Sequence, residues 1–377
     1  PVQHPADKES SGVVTTHFAF EYLHDTLLKL DILGHDVPTI YRMLEDYTGI
    51  DVRTVPMNDT KVYSLFTSPD ALGANADAVG CDTGTLALPE MGTSYVRQMM
   101  MTARPKNFSD LLQISGLSHG TGIWLNNGET LIKEGICTID TIIGTRDSIM
   151  LYLLHRGLPP TYAFKIMESV RKGKGLTQEF EDVMREHDVP EWYIASCKKI
   201  KYMFPKAHAA AYVIAALRLA WYKVHRPVEF YAAYFSAKPD GFESQTVMRP
   251  KKAIEADLAR MSAPGAELTQ KDEDTYNVLQ IVNEMYARGI QFLPIDVYRS
   301  TAFTFVPEDG KIRLPLISLA GLGETAADNI YKAVSSGEAT TLEELKTVAS
   351  LSKTVVDTLV QNGCLGSMPE SNQMTLF

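Results

Sequence analysis

A proline near the middle of the chain limits most strongly what this sequence can fold into. Pro205 stands directly before Lys206, Ala207 and His208. Proline is tolerated where a helix begins, because the amide hydrogen that it lacks has no intrahelical partner there. The sequence therefore predicts a long helix over residues 206–223. On that helix His208 and Tyr212 lie one turn apart on one face.

Cations gather at the predicted start of this helix. Lys198, Lys199 and Lys201 precede it, and positive charge at the positive end of a helix dipole is unfavourable unless an anion binds there. A polyphosphate is such an anion. The alternative is that His208 and Tyr212 flank an ordinary buried helix, and an isolated motif does not decide between the two interpretations.

Other segments of the chain share one resemblance with this motif. In chain order the blocks begin at Leu27-Leu28-Lys29-Leu30-Asp31, Gln113-Ile114-Ser115-Gly116, Lys165-Ile166-Met167-Glu168, Cys197-Lys198-Lys199-Ile200 and Asn372-Gln373-Met374. Together they resemble the C-family bacterial replicative DNA polymerases, in particular the PolC-type alpha subunits of DNA polymerase III, over nearly the whole chain. The resemblance implies a mostly α fold with small α+β parts: the end of a polymerase palm, a helical fingers domain and a carboxyl-terminal helix-hairpin-helix duplex-binding domain.

The resemblance and the turn-rich stretches together predict four regions. They are the end of the palm at 1–36, the fingers at 37–240, a duplex-binding region with helix-hairpin-helix motifs at 241–366, and a flexible tail with a sliding-clamp-binding motif at 367–377. Apolar residues spaced by three and four predict helices at 39–47, 59–66, 92–102, 108–115 and 147–156. Ser109-Asp110 and Asp147-Ser148 are the predicted amino-terminal caps of two of them. Residues 13–20 and 291–306 have β character.

The net charge of −10 argues against DNA binding only if the charge is spread evenly. Between Ile143 and Arg226 there are 14 Lys and Arg against 8 Asp and Glu, so the cations coincide with the fingers resemblance. No apolar run approaches the roughly 20 residues that span a bilayer, and the amino terminus lacks a signal pattern. The sequence therefore predicts a cytoplasmic protein without a membrane partner. Because residue 1 is not methionine, we expect a fragment or a processed chain.

Asp31 lies in the block that supplies the third catalytic carboxylate of C-family palms. Two-metal phosphoryl transfer needs carboxylates that hold divalent ions against the primer hydroxyl and the α-phosphate. The resemblance therefore implies Asp31 as a catalytic Mg²⁺ ligand, with two further carboxylates upstream of this chain, and Lys29 as a catalytic contact to phosphate or primer. A lone aspartate on a strand is otherwise more often structural.

Basic residues interleaved with glycine form a second candidate site. Glycines let backbone and ammonium groups approach phosphate oxygens closely, although a solvated basic loop is the ordinary alternative. The resemblance to polymerase fingers favours binding of the incoming deoxynucleoside triphosphate. The predicted nucleotide-binding residues are Arg146, Arg156, Lys165, Arg171, Lys172, Lys174, Lys201, Lys206, His208 and Tyr212.

The segment from Ile317 to Ile330 contains a glycine-hydrophobic-glycine turn followed by a helix with small residues. This is the helix-hairpin-helix pattern, whose turn offers backbone amides to a DNA phosphate without reading sequence. An ordinary helical hairpin is the alternative, and 351–365 looks like a second, degenerate copy. The predicted DNA-binding residues are Gly321, Leu322, Gly323, Thr325 and Lys353.

The last five residues resemble the sliding-clamp-binding pentapeptide. Gln373 is expected at the rim of the clamp pocket, and Met374, Leu376 and Phe377 are expected in apolar pockets. A frayed tail is the alternative.

The cysteines do not form a CxxC pair, so their spacing favours free thiols over a compact zinc site. The resemblance leaves open a structural Zn²⁺ at Cys81 and Cys137, although a cysteine expected near Thr145 is absent.

The sequence thus predicts the carboxyl-terminal part of a C-family replicative polymerase. Its reaction is template-directed DNA synthesis with Mg²⁺, and its partners are primer-template DNA, deoxynucleoside triphosphates, the sliding clamp and other replisome subunits. The parent protein is expected to carry a 3′–5′ exonuclease, and this fragment alone is expected to be inactive. The alternative is a catalytically silent module that binds primer-template and clamp. A weaker alternative is a repair-type helix-hairpin-helix protein.

Overall fold

The computed structural model describes residues 2–3, 12–19, 22–23, 26–27, 35–238 and 240–371. The chain divides into two compact units, Pro1–Asp36 and Val37–Phe377. In the first unit the described residues include an antiparallel pair of strands, β1 (Val2–Gln3) and β2 (Thr15–Thr16). The predicted palm residues Lys29 and Asp31 lie outside the described residues, as do the predicted clamp-binding residues Gln373, Met374, Leu376 and Phe377.

Helices form most of the second unit, and the fold is mostly α with small sheets, as predicted. Up to residue 238 the helices are α1 (Val37–Thr48), α2 (Thr60–Ser64), α3 (Ala76–Val79), α4 (Ser94–Ala103), α5 (Phe108–His119), α6 (Glu129–Lys133), α7 (Arg146–His155), α8 (Pro160–Arg171), α9 (Gln178–Glu186), α10 (Glu191–Lys199), α11 (Lys206–His225) and α12 (Pro227–Ala237). After residue 240 they are α13 (Ser244–Val247), α14 (Lys251–Met261), α15 (Gln270–Ala287), α16 (Glu324–Ser335), α17 (Leu342–Val348) and α18 (Lys353–Gln361). No helix in the described part of the chain combines the length and apolar character of a membrane span.

The helices predicted from apolar spacing are present, but both predicted caps are wrong. α7 is capped by Thr145, whose side chain accepts a hydrogen bond from the amide of Ser148. α5 is capped by Asn107, which accepts from the amide of Asp110 at 3.0 Å. Each cap therefore precedes the predicted one, because a side-chain oxygen satisfies the amides two or three residues ahead of it.

A small sheet follows α15. Strand β3 (Phe292–Leu293) runs parallel to β5 (Lys311–Arg313), which pairs antiparallel with β4 (Val306–Glu308). The β character predicted for 291–306 is therefore present at the two ends of that segment only. Phe235 of α12 lies 5.6 Å from Phe292 and 5.7 Å from Phe305, measured between ring centroids. This aromatic contact packs the sheet against α12.

α11 is the predicted long helix, and its sequence explains its central position. It packs against α5 and α12 most extensively, and also against α1, α2 and α7. Val213 and Leu219 are fully buried along it, and so is Lys223 near its carboxyl end. Because packed side chains leave few alternative arrangements, a helix that is buried on several sides is rigid, and the position of one end determines the position of the other.

A buried ion pair fixes the carboxyl end of α11. Lys223 Nζ lies 2.7 Å from Glu284 Oε1 on α15, and neither side chain is exposed to solvent. The same ammonium group donates to the carbonyl oxygens of Gly84 at 2.8 Å and Leu86 at 2.5 Å, so its three hydrogens are all used. Tyr231 OH also donates to Glu284 Oε1, at 2.6 Å. Burial lowers the pKa of Lys223, and Glu284 opposes that shift.

The first predicted helix-hairpin-helix turn is present before α16. Gly321 has φ +86°, a left-handed conformation that favours glycine. Leu322 follows it and is 7% exposed, and Gly323 forms the amino-terminal cap of α16 with φ −81°. The turn thus points one leucine inward and leaves the helix start exposed.

A second turn before α18 repeats this arrangement. Ser350 has φ +52°, Leu351 is 7% exposed and Ser352 caps α18 with φ −69°. The degenerate copy expected from sequence therefore has the backbone course of the first turn. Because its cap is serine, the side chain of Ser352 accepts a hydrogen bond from Val355 N.

Candidate functional site

Four rings that follow one another around the start of α11 form an aromatic row, consisting of Tyr202, Phe204, His208 and Tyr212. Ring centroids lie 5.7 Å apart for Tyr202 and Phe204, and 4.5 Å apart for Phe204 and His208. His208 and Tyr212 lie 4.5 Å apart, as the one-turn spacing predicted. These separations are typical of favourable ring pairs, so the row is a preformed surface.

A short backbone pairing holds the row against the end of α5. Thr121 N donates to Tyr202 O at 3.0 Å, and Lys201 N donates to Thr121 O at 2.8 Å. At Gly122, with φ +71°, a Cβ would lie 2.3 Å from the carbonyl oxygen of Lys199. Glycine is therefore required for this approach. The pairing brings His119, the last residue of α5, to 5.1 Å from Phe204 and 5.9 Å from His208 between ring centroids.

His119 is held by hydrogen bonds from both sides of its ring. Its Nε2 lies 2.6 Å from Glu90 Oε2, and its Nδ1 lies 2.8 Å from Ser115 O. The hydrogen bond to Glu90 raises the pKa of His119. Burial lowers the pKa of His208, and the nearby His119 lowers it further. The site therefore contains two adjacent imidazoles whose pKa values are shifted in opposite directions, which is a frequent property of functional sites.

The start of α11 is already capped by a carboxylate. Lys206 N donates to Asp147 Oδ2 at 2.7 Å, and Arg146 N donates to Phe204 O at 3.3 Å. These bonds bring the start of α7 next to the start of α11. An anion binding here therefore meets a helix end whose first amide is occupied, and the side chains of α11 offer better contacts than its dipole does.

The predicted crowding of lysines at the start of α11 is wrong for two of them. Lys198 and Lys199 belong to the last turn of α10, where cations are favourable. Lys198 Nζ lies 2.7 Å from Glu181 Oε1, and Lys199 Nζ donates to Asn126 O at 2.8 Å. Only Lys201 of the three remains near the aromatic row.

The glycine-rich basic loop lies against the same segment. At Gly173, with φ +70°, a Cβ would lie 2.5 Å from Lys201 O, so the loop contacts the backbone that leads into the aromatic row. Arg171 and Lys172 both pair with Glu168. The hydrogen bond from Arg171 lowers the pKa of Glu168 to about 2, so Glu168 stays ionised and neutralises part of the loop's charge.

Three other lysines near the site differ from Lys172 and Lys198 in their interactions. Within the described residues, the side chains of Lys174, Lys201 and Lys206 are exposed and make no ion pair. Eight of the ten predicted nucleotide-binding residues lie at or next to the aromatic row or on the loop that contacts it: Arg146, Arg171, Lys172, Lys174, Lys201, Lys206, His208 and Tyr212.

Two predicted nucleotide-binding residues lie elsewhere. Arg156 follows the carboxyl end of α7, with its guanidinium 5.3 Å from the ring centroid of Tyr152, whereas Arg146 begins that helix. A helix of ten residues separates its ends by about 15 Å. Lys165 is exposed in the middle of α8.

The predicted DNA-binding residues form two exposed surfaces around the hairpin turns. Gly321, Gly323, Thr325 and Lys353 are exposed. Leu322 is buried, and its amide donates to Leu319 O at 3.0 Å, so this leucine shapes the turn from inside. Whether these residues bind DNA stays a prediction.

The described residues do not provide a ligand set for zinc. In this part of the chain no three His, Cys, Asp or Glu side chains cluster as a metal site. Cys81 Sγ accepts from Arg97 Nη1 at 2.8 Å. Burial raises the pKa of Cys137 to about 11, with Asp140 adding to the shift, whereas a zinc ligand must be a thiolate. The two cysteines therefore do not fit a zinc ion as they stand here.

Sequence reasoning missed Glu90 and His119 as site residues. Both are separated from the α11 motif by many residues, and no local pattern joins them. One signal for His119 was present in the sequence. This residue lies in the block 113–121, which resembles the same polymerase family as the α11 motif does.

Comparison with known proteins agrees with the resemblance. The family described as bacterial DNA polymerase III alpha subunit finger domain matches residues 37–188, and the helix-hairpin-helix motif family matches residues 289–375. Over its 377 residues the chain is 50% identical to DNA polymerase III PolC-type of Clostridium perfringens (strain 13 / Type A). It is 49% identical to that of Bacillus subtilis (strain 168) and 48% identical to that of Staphylococcus aureus (strain MW2).

These alignments cover 100% of this chain and 26% of each relative. The chain thus spans about a quarter of the length of the relatives that it matches.

Proposed function

Because the chain belongs to the PolC-type DNA polymerase III family, we propose that it supplies the nucleotide-binding fingers and a duplex-binding region for template-directed DNA synthesis. The parent reaction adds a deoxynucleotide to a primer 3′ hydroxyl and releases pyrophosphate. The chain's own contribution is to bind and orient the triphosphate and to hold the duplex.

The observation that carries the proposal is that the backbone of several cationic residues adjoins the aromatic row. Lys201 lies beside Tyr202 at one end of the row, and Lys206 precedes His208 by less than one helical turn. The loop around Gly173 contacts the backbone of Lys201. A triphosphate needs several cations and hydrogen-bond donors within its reach, and flat rings suit the sugar and base.

Each side chain of the site has one role in nucleotide binding. Lys201 and Lys206 neutralise phosphate oxygens, and His208 donates a hydrogen bond to the triphosphate. Tyr212, one turn further along α11, packs against the sugar or base. Arg146 and Lys174 add positive charge at the edges of the site. Such fixed charges lower the barrier of phosphoryl transfer because they need no reorganisation during the reaction.

The proposal also includes Asp31 as a magnesium ligand and Lys29 as its neighbour at the primer. Magnesium ions would supply charge neutralisation between the primer hydroxyl and the α-phosphate. Both residues lie outside the described part of the chain, so their roles rest on the family resemblance.

Primer extension by a full-length polymerase that contains this sequence tests the proposal. We expect Asp31→Ala to abolish extension. Lys206→Ala should raise the nucleotide KM about tenfold, which corresponds to about 1.4 kcal/mol for one charged contact. Arg156→Ala is the matched control, because this cation lies at the other end of α7, and it should change KM by less than about twofold. Normal extension by both Asp31→Ala and Lys206→Ala would contradict the polymerase role.

A second experiment tests the alternative role. In that role the chain is a catalytically silent module that binds primer-template and clamp. The 377-residue chain is assayed alone and together with a palm fragment of a PolC-type polymerase. Extension in the combined sample supports a catalytic role. Silence in both samples, with intact DNA binding, favours the binding module.

Clamp binding is the remaining part of the proposal. A peptide of residues 367–377 should bind a bacterial sliding clamp with micromolar affinity, and replacing Leu376 and Phe377 by alanine should remove most of that binding, because two apolar anchors supply most of the energy of so small an interface. Equal binding by the two peptides would refute the assignment.

A further inference from the structure

The hydrogen bonds around His119 determine its protonation state. Its Nε2 faces a carboxylate oxygen of Glu90 at 2.6 Å, and its Nδ1 faces the carbonyl oxygen of Ser115 at 2.8 Å. A carbonyl and a carboxylate can only accept, so both ring nitrogens must donate. Ser118 Oγ, 2.9 Å from Nδ1, itself donates to Ser115 O. The arrangement is satisfied when His119 is an imidazolium paired with Glu90.

The carboxylate of this pair is fixed by an unusual backbone. Glu90 has φ +65°, and Ala87 in the same loop has φ +63°. Such conformations are costly for residues other than glycine and persist only when the surroundings impose them. The loop is anchored at the carbonyl oxygens of Gly84 and Leu86 by Lys223 Nζ. Glu90 is therefore held in place independently of any ligand.

The imidazolium acts directly on His208. The two ring centroids are 5.9 Å apart, and His208 is partly buried. A second positive charge at that distance in a half-buried site is unfavourable. Glu90 acts on His208 in the opposite direction, and the net pKa of His208 is lowered. Charged groups nearby in the described part of the chain also include Arg146 and Asp147 at the start of α7, Lys206 on α11, and Lys201 beside Tyr202.

We propose that a triphosphate binds at this site together with one proton, which a ring nitrogen of His208 takes from solvent, and that the Glu90–His119 pair keeps His208 neutral until the anion arrives. The inference rests on the proposed nucleotide site. In the empty site a charged His208 would repel His119. A bound triphosphate reverses the local charge, so the protonated ring becomes a favourable donor to a phosphate oxygen. Glu90 and His119 are then positioning residues, since they act through His208.

The direct test is a histidine titration by NMR on the full 377-residue chain, with ¹³C-labelled histidine and with or without saturating inorganic triphosphate and Mg²⁺. His208→Gln and His119→Gln spectra assign the two signals. We expect the pKa of His208 to rise by about one unit or more when the ligand binds. His155, exposed at the end of α7, serves as the internal control and should not shift.

Variants of Glu90 and His119 test whether the pair controls the protonation of His208 or only stabilises the local structure. In His119→Gln without ligand, the pKa of His208 should rise toward that of an ordinary histidine, and binding should take up less than one proton near pH 6.5. Glu90→Asp, which shortens the carboxylate but keeps its charge, should retain more of the wild-type behaviour than Glu90→Gln. Unchanged His208 titration in His119→Gln would overturn the role of the pair.

The outcomes also distinguish this inference from the proposed function. Saturable binding of the triphosphate with no change in the His208 pKa overturns the proton coupling alone and leaves the nucleotide site standing. No saturable binding overturns both. A ligand-induced rise in the His208 pKa that is as large in His119→Gln as in the unchanged chain keeps the coupling but removes Glu90 and His119 from it.

Discussion

Ser350 adopts in the second hairpin turn the left-handed backbone that Gly321 adopts in the first. Their φ values are +52° and +86°, and each residue precedes a leucine that is 7% exposed. Serine bears a cost in this conformation that glycine does not, about 1–2 kcal/mol. The second turn therefore keeps its shape through packing of Leu351 and the cap at Ser352, against the preference of Ser350.

The stability cost of alanine substitutions at these turns should depend on the backbone φ of the replaced glycine. Gly321→Ala has open space around its new Cβ, so its cost comes from φ alone and should be about 1–2 kcal/mol. Gly323→Ala is the comparison, because Gly323 has an ordinary φ of −81° and also has open space, and its smaller cost of about 0.5–1 kcal/mol should come from the poor capping preference of alanine. Hydrogen exchange of the α16 amides measures the difference. Equal losses at the two glycines would show that φ is not the cause.

The two hairpins should contribute unequally to duplex binding. The first exposed helical position after the turn is Glu324 in the first hairpin and Lys353 in the second. Lys353→Ala should weaken binding to duplexes of any sequence and reduce the salt slope by about one. Glu324→Gln should strengthen binding. Lys332→Ala is the control, because this lysine pairs with Asp328 at 2.6 Å. Fluorescence anisotropy over a range of salt concentrations provides the measurement, and an effect of Lys332→Ala as large as that of Lys353→Ala would contradict it.

Breaking the buried ion pair should destabilise the second unit strongly. Within the described residues, Lys223→Met leaves the buried carboxylate of Glu284 with Tyr231 OH as its one donor, and should cost about 3–5 kcal/mol. The double variant Lys223→Met/Glu284→Gln removes the unpaired charge and should recover part of that loss. Urea unfolding followed by tryptophan fluorescence, to which Trp221 on the same helix contributes, reports both. A double variant no more stable than Lys223→Met would argue against the ion pair as the cause.

Stability should depend on pH through the two histidines in opposite ways. The raised pKa of His119 gives stabilisation that is complete below the unfolded value of about 6.5 and is lost as pH rises through the folded pKa. The lowered pKa of His208 costs stability as pH falls through and below that same unfolded value. The free energy of unfolding, measured in urea between pH 5 and 8.5, should therefore fall on both sides of about 6.5.

Two variants isolate these contributions. Glu90→Gln should flatten the loss of stability above pH 6.5, and His208→Gln should flatten the loss below it. Loss on the alkaline side that is unaffected by Glu90→Gln would mean that another group titrates there.

Local patterns were sufficient for several helices and for the His208–Tyr212 pair on α11. Apolar spacing located α1, α4, α5 and α7, and the one-turn spacing placed His208 beside Tyr212. The same kind of reasoning found the second hairpin, because the order of small, apolar and capping residues is local too. These features depend on residues that are neighbours in the chain.

Contacts between distant segments were not predictable in this way. Glu90 meets His119, and Asp147 caps α11, only because the fold brings separate helices together. The charges were misjudged for the same reason: Lys198 looked available in sequence, but Glu181 of the preceding helix neutralises it. A sequence gives the sum of local charge, whereas the fold decides which cations are left for a ligand.

α11 is fixed more firmly at its carboxyl end than at its amino end. At its carboxyl end Lys223 is bonded to three oxygens in the protein interior, while at its amino end the Lys206 amide donates to Asp147 and His208 is only partly buried. The two residues are about 22 Å apart along the helix axis. A tilt of about 5° around the fixed end would carry His208 through about 2 Å, enough to make or break a hydrogen bond. Small rotations of one helix are thus amplified at the end where the triphosphate would arrive.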